Sequence, residues 1–554
     1  MNKSILSISF ILCLAGAGAA VDLVKDGKPV AEIVVPENPM HSVRTAANEL
    51  QRHLEAMSGA RLTIVTNVSS EIKNQVYVGT SEYTRKIGIT IDDIRHDGFK
   101  IFAKDNYVVL AGRDMDHVER TFARFKNIPK RDLRAAWEAY AGHKWRFPPI
   151  LMFTDENKEC GFHLWDATGT LYSVYELLEQ LGMRWYMPIP EIGTVIPKQK
   201  NISIREQSIK REPEFPQRIF SDCSVGQFRH EFLWYKSMRV GTAFLMPVYH
   251  SLSGVMVYPK EQPQEYFGKV NGKIDYKIPR LTSERLRADM VSYLECVDKA
   301  YPDIAYTCIG QPDGWTTLDS EDAANGWDKL ADHGPNGRFS DYYWDFILNI
   351  RERYLKKHPG RKFTVCAYGY TRQPPTIIDK IPDNVTVMFS QSSPSWNLSK
   401  NNQQLKEREE WLTRLRHKDQ LFVFDYYLMH ASTYKAPPVP AIFTGQLQRN
   451  FEGLYDRSVG TLVEVGWASL PERNAQQLGL GRPGISHLML YLHGRFWWDR
   501  NIDLQAVLNE YYELFFGPAV PLPDKAAATP PLERPSAIEP SASTITLPDG
   551  RTFA

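Results

Sequence analysis

Between residues 217 and 466 the chain carries seven short apolar runs, and each stops at a polar or aromatic residue. They cover 217–220, 242–247, 304–311, 363–370, 385–391, 421–427 and 461–466. Runs this short and this continuously apolar read as strands buried on both faces, which is how parallel sheets are written in sequence. Helical stretches such as 340–358 and 402–416 lie between most of them. The alternation predicts an α/β fold whose second part is a TIM-type (β/α) barrel. A further run at 487–491 fits an eighth strand or a helix equally well.

The residues before this region alternate strand and helix on a smaller scale. Strands are expected at 31–35, 62–65, 75–79, 98–103 and 107–111. Helices are expected at 43–57, with Ala46, Ala47, Leu50, Leu54 and Met57 on one face, and at 169–182. This predicts a small α/β domain over 21–205, closed by the aromatic segment at 184–188. A linker with Pro213 and Pro216 follows, and the barrel domain spans 206–520. The Pro-, Ala- and Ser-rich stretch 521–554 reads as a disordered tail.

The chain has 554 residues, enough for two domains, and a hydrophobic share of 43% excludes global disorder. A net charge of +1 without a basic stripe argues against a nucleic-acid partner. Residues 1–20 read as a secretory signal: Lys3, an apolar stretch from Ile5 to Leu14, then small residues to Ala20. That stretch is shorter than the roughly 20 apolar residues a membrane span needs, so no transmembrane segment is expected and export is. Five cysteines remain beyond Cys13, without metal-site spacing. Cys308 and Cys366 fall inside predicted strands as core residues.

Three of the seven runs bring a carboxylate to the end where a barrel keeps its reactive groups. Asp313 follows the third, Asp425 lies within the sixth, and Glu464 lies within the seventh. Two carboxyl groups facing one bond are the equipment of glycoside hydrolysis: one protonates the leaving oxygen, the other attacks carbon or activates water. Glu464, among Leu462, Val463 and Val465, is expected to have a raised pKa, as an acid catalyst needs. It reads as well as a carboxylate paired structurally with an Arg. Asp313 stands before Gly314 and Trp315, so it is either a turn former or a catalytic group beside a sugar platform. Asp425 is costly inside Phe424-Asp425-Tyr426-Tyr427 unless paired or functional. Binding roles are expected of His250, Tyr368, Tyr370, Trp396, Tyr427, His430 and Trp467. Arg372 would hold an acidic sugar or a protein carboxylate.

The segments GTLYSVYELLEQLGMRWYMP, CIGQPDGW, FVFDYY, GTLVEVGW and LNEYYELFFGPA resemble a bacterial family catalogued as domain of unknown function 4838. The first is similar to the small α/β domain that precedes the barrel in alpha-glucuronidases and beta-hexosaminidases. The resemblance implies a glycoside-hydrolase-like protein, a carbohydrate substrate and no cofactor or required metal. Asp313, Asp425, Glu464 and His250 match family positions. Related chains usually continue past Gly-Pro-Ala with another helical segment, where this one has a Pro-rich stretch. The expected activity is therefore that of an exported glycoside hydrolase on a polysaccharide or oligosaccharide, uronic-acid-containing ones included. The alternative is a non-catalytic carbohydrate-binding protein on the same scaffold.

Overall fold

The structure is a computed structural model that describes residues 20–148, 156–221, 229–392, 403–426, 442–464, 487–517, 545–546 and 552–553. Residues up to Leu504 form one compact unit, and Gln505–Ala554 a second.

Within the first unit, a six-stranded sheet is built from β1 (Ala31–Val34), β2 (Ile64–Val65), β3 (Asn74–Val78), β4 (Phe99–Lys104), β5 (Tyr107–Gly112) and β6 (Gln207–Arg211). Its order is β6-β4-β5-β3-β1-β2. Helices α1 (His41–Ser58) and α2 (Gly169–Gln180) pack on each other, and α2 packs on β5. The apolar face expected of α1 is buried, and Gly59 ends that helix in the left-handed conformation at φ 81°, donating to Glu55 O. A Cβ on Gly112 would collide with the Gly169 backbone, so glycine is what lets α2 sit this close to β5. The expected linker is in part a strand: β6 adds to the sheet by antiparallel pairing with β4, Ile209 opposite Ile101.

The second sheet contains β7 (Gln217–Ser221), β8 (Gly241–Thr242), β9 (Tyr306–Ile309), β10 (Lys362–Ala367), β11 (Val385–Gln391), β12 (Leu421–Asp425) and β13 (Gly460–Glu464). Its order is β8-β7-β13-β12-β11-β10-β9. All neighbours run parallel except β8, which is antiparallel to β7. One face gathers Ile219, Tyr306, Cys366, Met388, Phe422 and Leu462 into a single apolar cluster. On the other face Thr461 meets His493 and Trp497, and α3 (Ser340–Leu355) and α4 (Gln403–Arg414) follow β9 and β11 in the chain. Side chains of both parities are thus buried, which is why the strands read as unbroken apolar runs.

The sheet differs from the closed barrel expected of seven runs. Among the described residues its ladder is open between β8 and β9. The second run keeps only Gly241–Thr242 as strand, and its continuation lies across the gap between β8 and β9. Pro247 O accepts from Thr364 Oγ1 at 2.6 Å, and Leu252 N donates to Gly310 O at 3.0 Å. The chain comes so near β9 that a Cβ on Gly310 would collide with Tyr249 O. The run at 487–491 is helical, part of α5 (His487–Phe496).

The second unit holds the helix Leu504–Phe516, most of whose length lies within it. It also holds an antiparallel pair of two-residue strands, Ile545–Thr546 with Thr552–Phe553, inside the stretch read as a disordered tail. Residues 1–19 and the rest of 518–554 lie outside the described residues, and with them the signal segment. Cys160, Cys296, Cys308 and Cys366 are free thiols. No helix among the described residues is long and apolar enough to cross a membrane.

Candidate active site

Side chains alternate across a strand, so Leu462 and Glu464 share one face of β13. Leu462 belongs to the apolar cluster, and Glu464 stands two residues further along, half-buried at the strand's end. Burial raises its carboxyl above the ordinary glutamate value, and the charge of Asp313 raises it further. The two carboxylates therefore share one field although they come from strands at different places in the sheet.

Asp313 is exposed on the turn that follows β9, where Gly314 takes φ 64°. Tyr368, just beyond β10, donates its phenol to Asp313 Oδ1 at 3.3 Å. Burial and then the Asp313 charge push that phenol's pKa up. Tyr426, just beyond β12, is raised by burial and by the charge of Glu464. The rings of Tyr368 and Tyr426 stand 6.5 Å apart between centroids. His250 completes the group: its Nδ1 lies 2.7 Å from Gln311 O and its ring 6.3 Å from Tyr368. A carbonyl oxygen only accepts, so Nδ1 carries the hydrogen of that bond.

Gln311 ties these parts together. Its carbonyl holds His250, its Nε2 donates to Tyr368 O at 2.9 Å, and its Oε1 accepts from Thr371 Oγ1. The ends of β9 and β10 and the segment carrying His250 are thereby fixed by one buried residue. Sequence reading named neither Gln311 nor Tyr426. The signal for Tyr426 was available: it shares parity with Phe422 and Phe424, whose side chains turn toward the inner cluster.

Asp425, expected as the third catalytic carboxylate, has the opposite parity and faces away from Glu464. It is 1% exposed, and its Oδ2 accepts from Gln391 Nε2 at 2.7 Å. Arg408, bonded to Asn450 Oδ1 at 2.5 Å and to Gln391 Oε1 at 3.3 Å, belongs to the same buried set. Burial pulls the Arg408 guanidinium down to about 10, against the charges of Glu409 and Asp425. Trp315 is corrected too. Only 6% exposed, it packs on Phe339 at 4.9 Å and donates its Nε1–H to Thr317 O, so it offers no face to a sugar. Arg372 is committed to the buried Glu407, Nε to Oε2 at 2.6 Å. Tyr370 packs on Phe339 at 5.2 Å, beside Trp315. Trp396, Tyr427, His430 and Trp467 lie outside the described residues. Among the described residues no three His, Cys, Asp or Glu side chains group as metal ligands.

The class this defines is a mixed α/β protein with a largely parallel sheet and two carboxylates brought together at the ends of its strands. The chain belongs to the family described as Domain of unknown function (DUF4838), whose model matches residues 189–523. No curated protein matches it. Among solved structures it is similar to a family GH115 4-O-methyl-alpha-glucuronidase with specificity for decorated arabinogalactans, at 12% identity and TM-score 0.46, over 89% of this chain and 60% of that one. It is similar to the Streptomyces plicatus N-acetyl-beta-hexosaminidase at 11% identity and TM-score 0.43, over 91% and 95%. It is also similar to a GH138 enzyme targeting pectin rhamnogalacturonan II at 11% identity and TM-score 0.36, over 88% and 67%. The chain thus spans 60% of the length of the glucuronidase. Likeness this distant identifies neither reaction nor substrate.

Proposed function

We propose that this chain is an exported glycoside hydrolase acting on a polysaccharide or oligosaccharide, with uronic-acid-containing glycans among the candidates. Glu464 is the proton donor and Asp313 the second carboxylate. The observation that carries this is the pairing itself: a strand-end glutamate kept protonated to higher pH by burial and by the charge of a neighbouring aspartate. As the glycosidic C–O bond breaks, Glu464 gives its proton to the leaving oxygen. Asp313 attacks the anomeric carbon or takes a proton from the attacking water. Tyr368 holds Asp313, and the Tyr368 and Tyr426 rings form a wall against which a sugar face stacks. On this reading the second sheet, from β7 onward, is a TIM-type barrel whose wall between β8 and β9 is completed by the segment around Pro247 and Leu252.

A reducing-sugar screen of the purified chain on a glycan panel that includes glucuronoxylan tests the reading, with Glu464→Gln and Asp313→Asn alongside. Sugar release by the wild type, lost in both folded variants, is the expected result. Full activity in both variants would sink it. The tyrosine wall also suits a non-catalytic carbohydrate-binding protein. That second reading is favoured if the wild type binds one glycan of the panel and cleaves none.

A further inference from the structure

A cavity of about 60 Å³ lies between the inner face of the second sheet and two residues of the preceding part of the chain, Phe122 and Trp165. Ile219, Phe422, Phe424 and Leu462 form its sheet side, and the lining is mostly apolar. Thr242, Gln217 and Tyr249 are its polar side chains, the last hydrogen-bonded to Tyr293. The Thr242 hydroxyl is already engaged, donating to Trp165 O at 3.3 Å and paired with His117 Nε2 at 3.1 Å. Gln217 is different. It is 1% exposed and donates Nε2–H to Phe244 O at 2.7 Å, yet its Oε1 has no hydrogen-bond partner among the described residues. Exchanging the amide's two ends would set oxygen against the Phe244 carbonyl, so the orientation is fixed and the lone acceptor is Oε1.

An unsatisfied buried acceptor beside an apolar cavity is costly until a donor arrives. We infer that this cavity is a binding site for a small neutral molecule with an apolar body and one hydroxyl, of the short-chain alcohol class. The volume sets the size: an apolar cavity of about 150 Å³ takes benzene, so the guest here is smaller. The polar end of the cavity lies away from the carboxylates, although Leu462 and Phe424 in its lining stand two residues before Glu464 and Tyr426. Gln217 pairs with Gly460 and Ser221 with Glu464, which puts Gln217 four residues down the strand from the level of Glu464, about 13 Å at the strand's rise per residue. The inference therefore does not rest on the hydrolase reading.

The test uses the full chain with ¹³C-labelled Ile, Leu and Met methyl groups, titrated with 1-propanol and with its isomer ethyl methyl ether, which has no donor. Saturable shifts at Ile219, Met246 and Leu462 with 1-propanol, about tenfold tighter than with the ether, are expected from one hydrogen bond. Gln217→Met should erase that difference, and Ile219→Phe should fill the space and abolish both titrations. Equal affinity for the two isomers in the wild type would overturn the inference. So would the absence of any shift at these methyls, which would mark the cavity as a water site only.

Discussion

Glu464 ionises late because its charge is half-buried and faces the charge of Asp313. The sign of the consequence for stability follows. A carboxyl whose folded pKa lies above its unfolded value costs stability at any pH where the unfolded chain has ionised it. The cost is absent below the ordinary glutamate pKa and complete above the raised one. Glu464→Gln is therefore expected to raise the melting temperature at neutral pH and to leave it unchanged near pH 3, as measured by thermal unfolding at the two pH values. A general acid contributes roughly 10²–10⁴-fold to rate, so the same variant should lose activity by that order where a substrate is found. The basic limb of the wild-type pH–rate profile should lie above the ordinary glutamate range. The sequence singles out Glu464 as a candidate because a lone acid in an apolar run has few uses. Asp425 satisfied the same test and serves differently. What separates the two is which side of the strand each faces, and a strand apolar on both faces carries no polar alternation to say so. Asp425→Asn is expected to reduce stability by about 1–3 kcal/mol in urea titration, through loss of charge-assisted bonds behind the sheet, with Glu464 and Asp313 undisturbed.

Among elements, the segment after β8 and the turn after β9 decide whether the site assembles. Gly310 has the Tyr249 carbonyl against it, and Gln311 holds both His250 and Tyr368. Gly310→Ala must push the Tyr249 segment away. The expected outcome is a loss of about 1–3 kcal/mol in stability together with altered ring-proton shifts of His250 by NMR. This crossing was hidden in the sequence. Apolar residues 242–247 read as one more strand, whereas Pro247 has no N–H to give a ladder and the chain leaves the sheet after Thr242. Arg372 teaches a related lesson through its partner in α4, Glu407, which is 1% exposed and also accepts from Asn336 at 2.7 Å. Arg372→Met leaves that carboxylate buried without its ion pair. A loss of about 3–5 kcal/mol in chemical denaturation is expected, an effect on the fold that no change of substrate would reproduce.

At the scale of the molecule, the six-stranded and seven-stranded sheets are joined by a charge pair that neither could bury alone. Asp97, just before β4, bonds Arg218 on β7, and both are fully buried. Arg218 is further fixed by Arg239 O and Phe215 O, each at 2.9 Å. Asp97→Ala strands the guanidinium, so a loss of about 3–5 kcal/mol is expected, with both sheets melting together in one calorimetric transition rather than two. The α/β class, most strands and the two long helices α1 and α2 were legible from periodicity alone. The pair Asp97–Arg218 was not, because two charges more than a hundred residues apart carry no mark of their meeting.

The order β8-β7-β13 places the sheet's first long strand beside its last, Gln217 opposite Gly460, roughly 240 residues apart in the chain. A ribosome adding about 5–20 residues per second needs on the order of 12–50 seconds to cross that interval. Until β13 emerges, β7 has no parallel neighbour and Ile219 no partner in Leu462. Glu464, the residue on which the proposed chemistry turns, is also the last residue of the strand that completes the ladder. Through that interval β7 has only the two-residue β8 beside it, while β9 to β12 can already pair among themselves, so the closing of the ladder is left to the final strand.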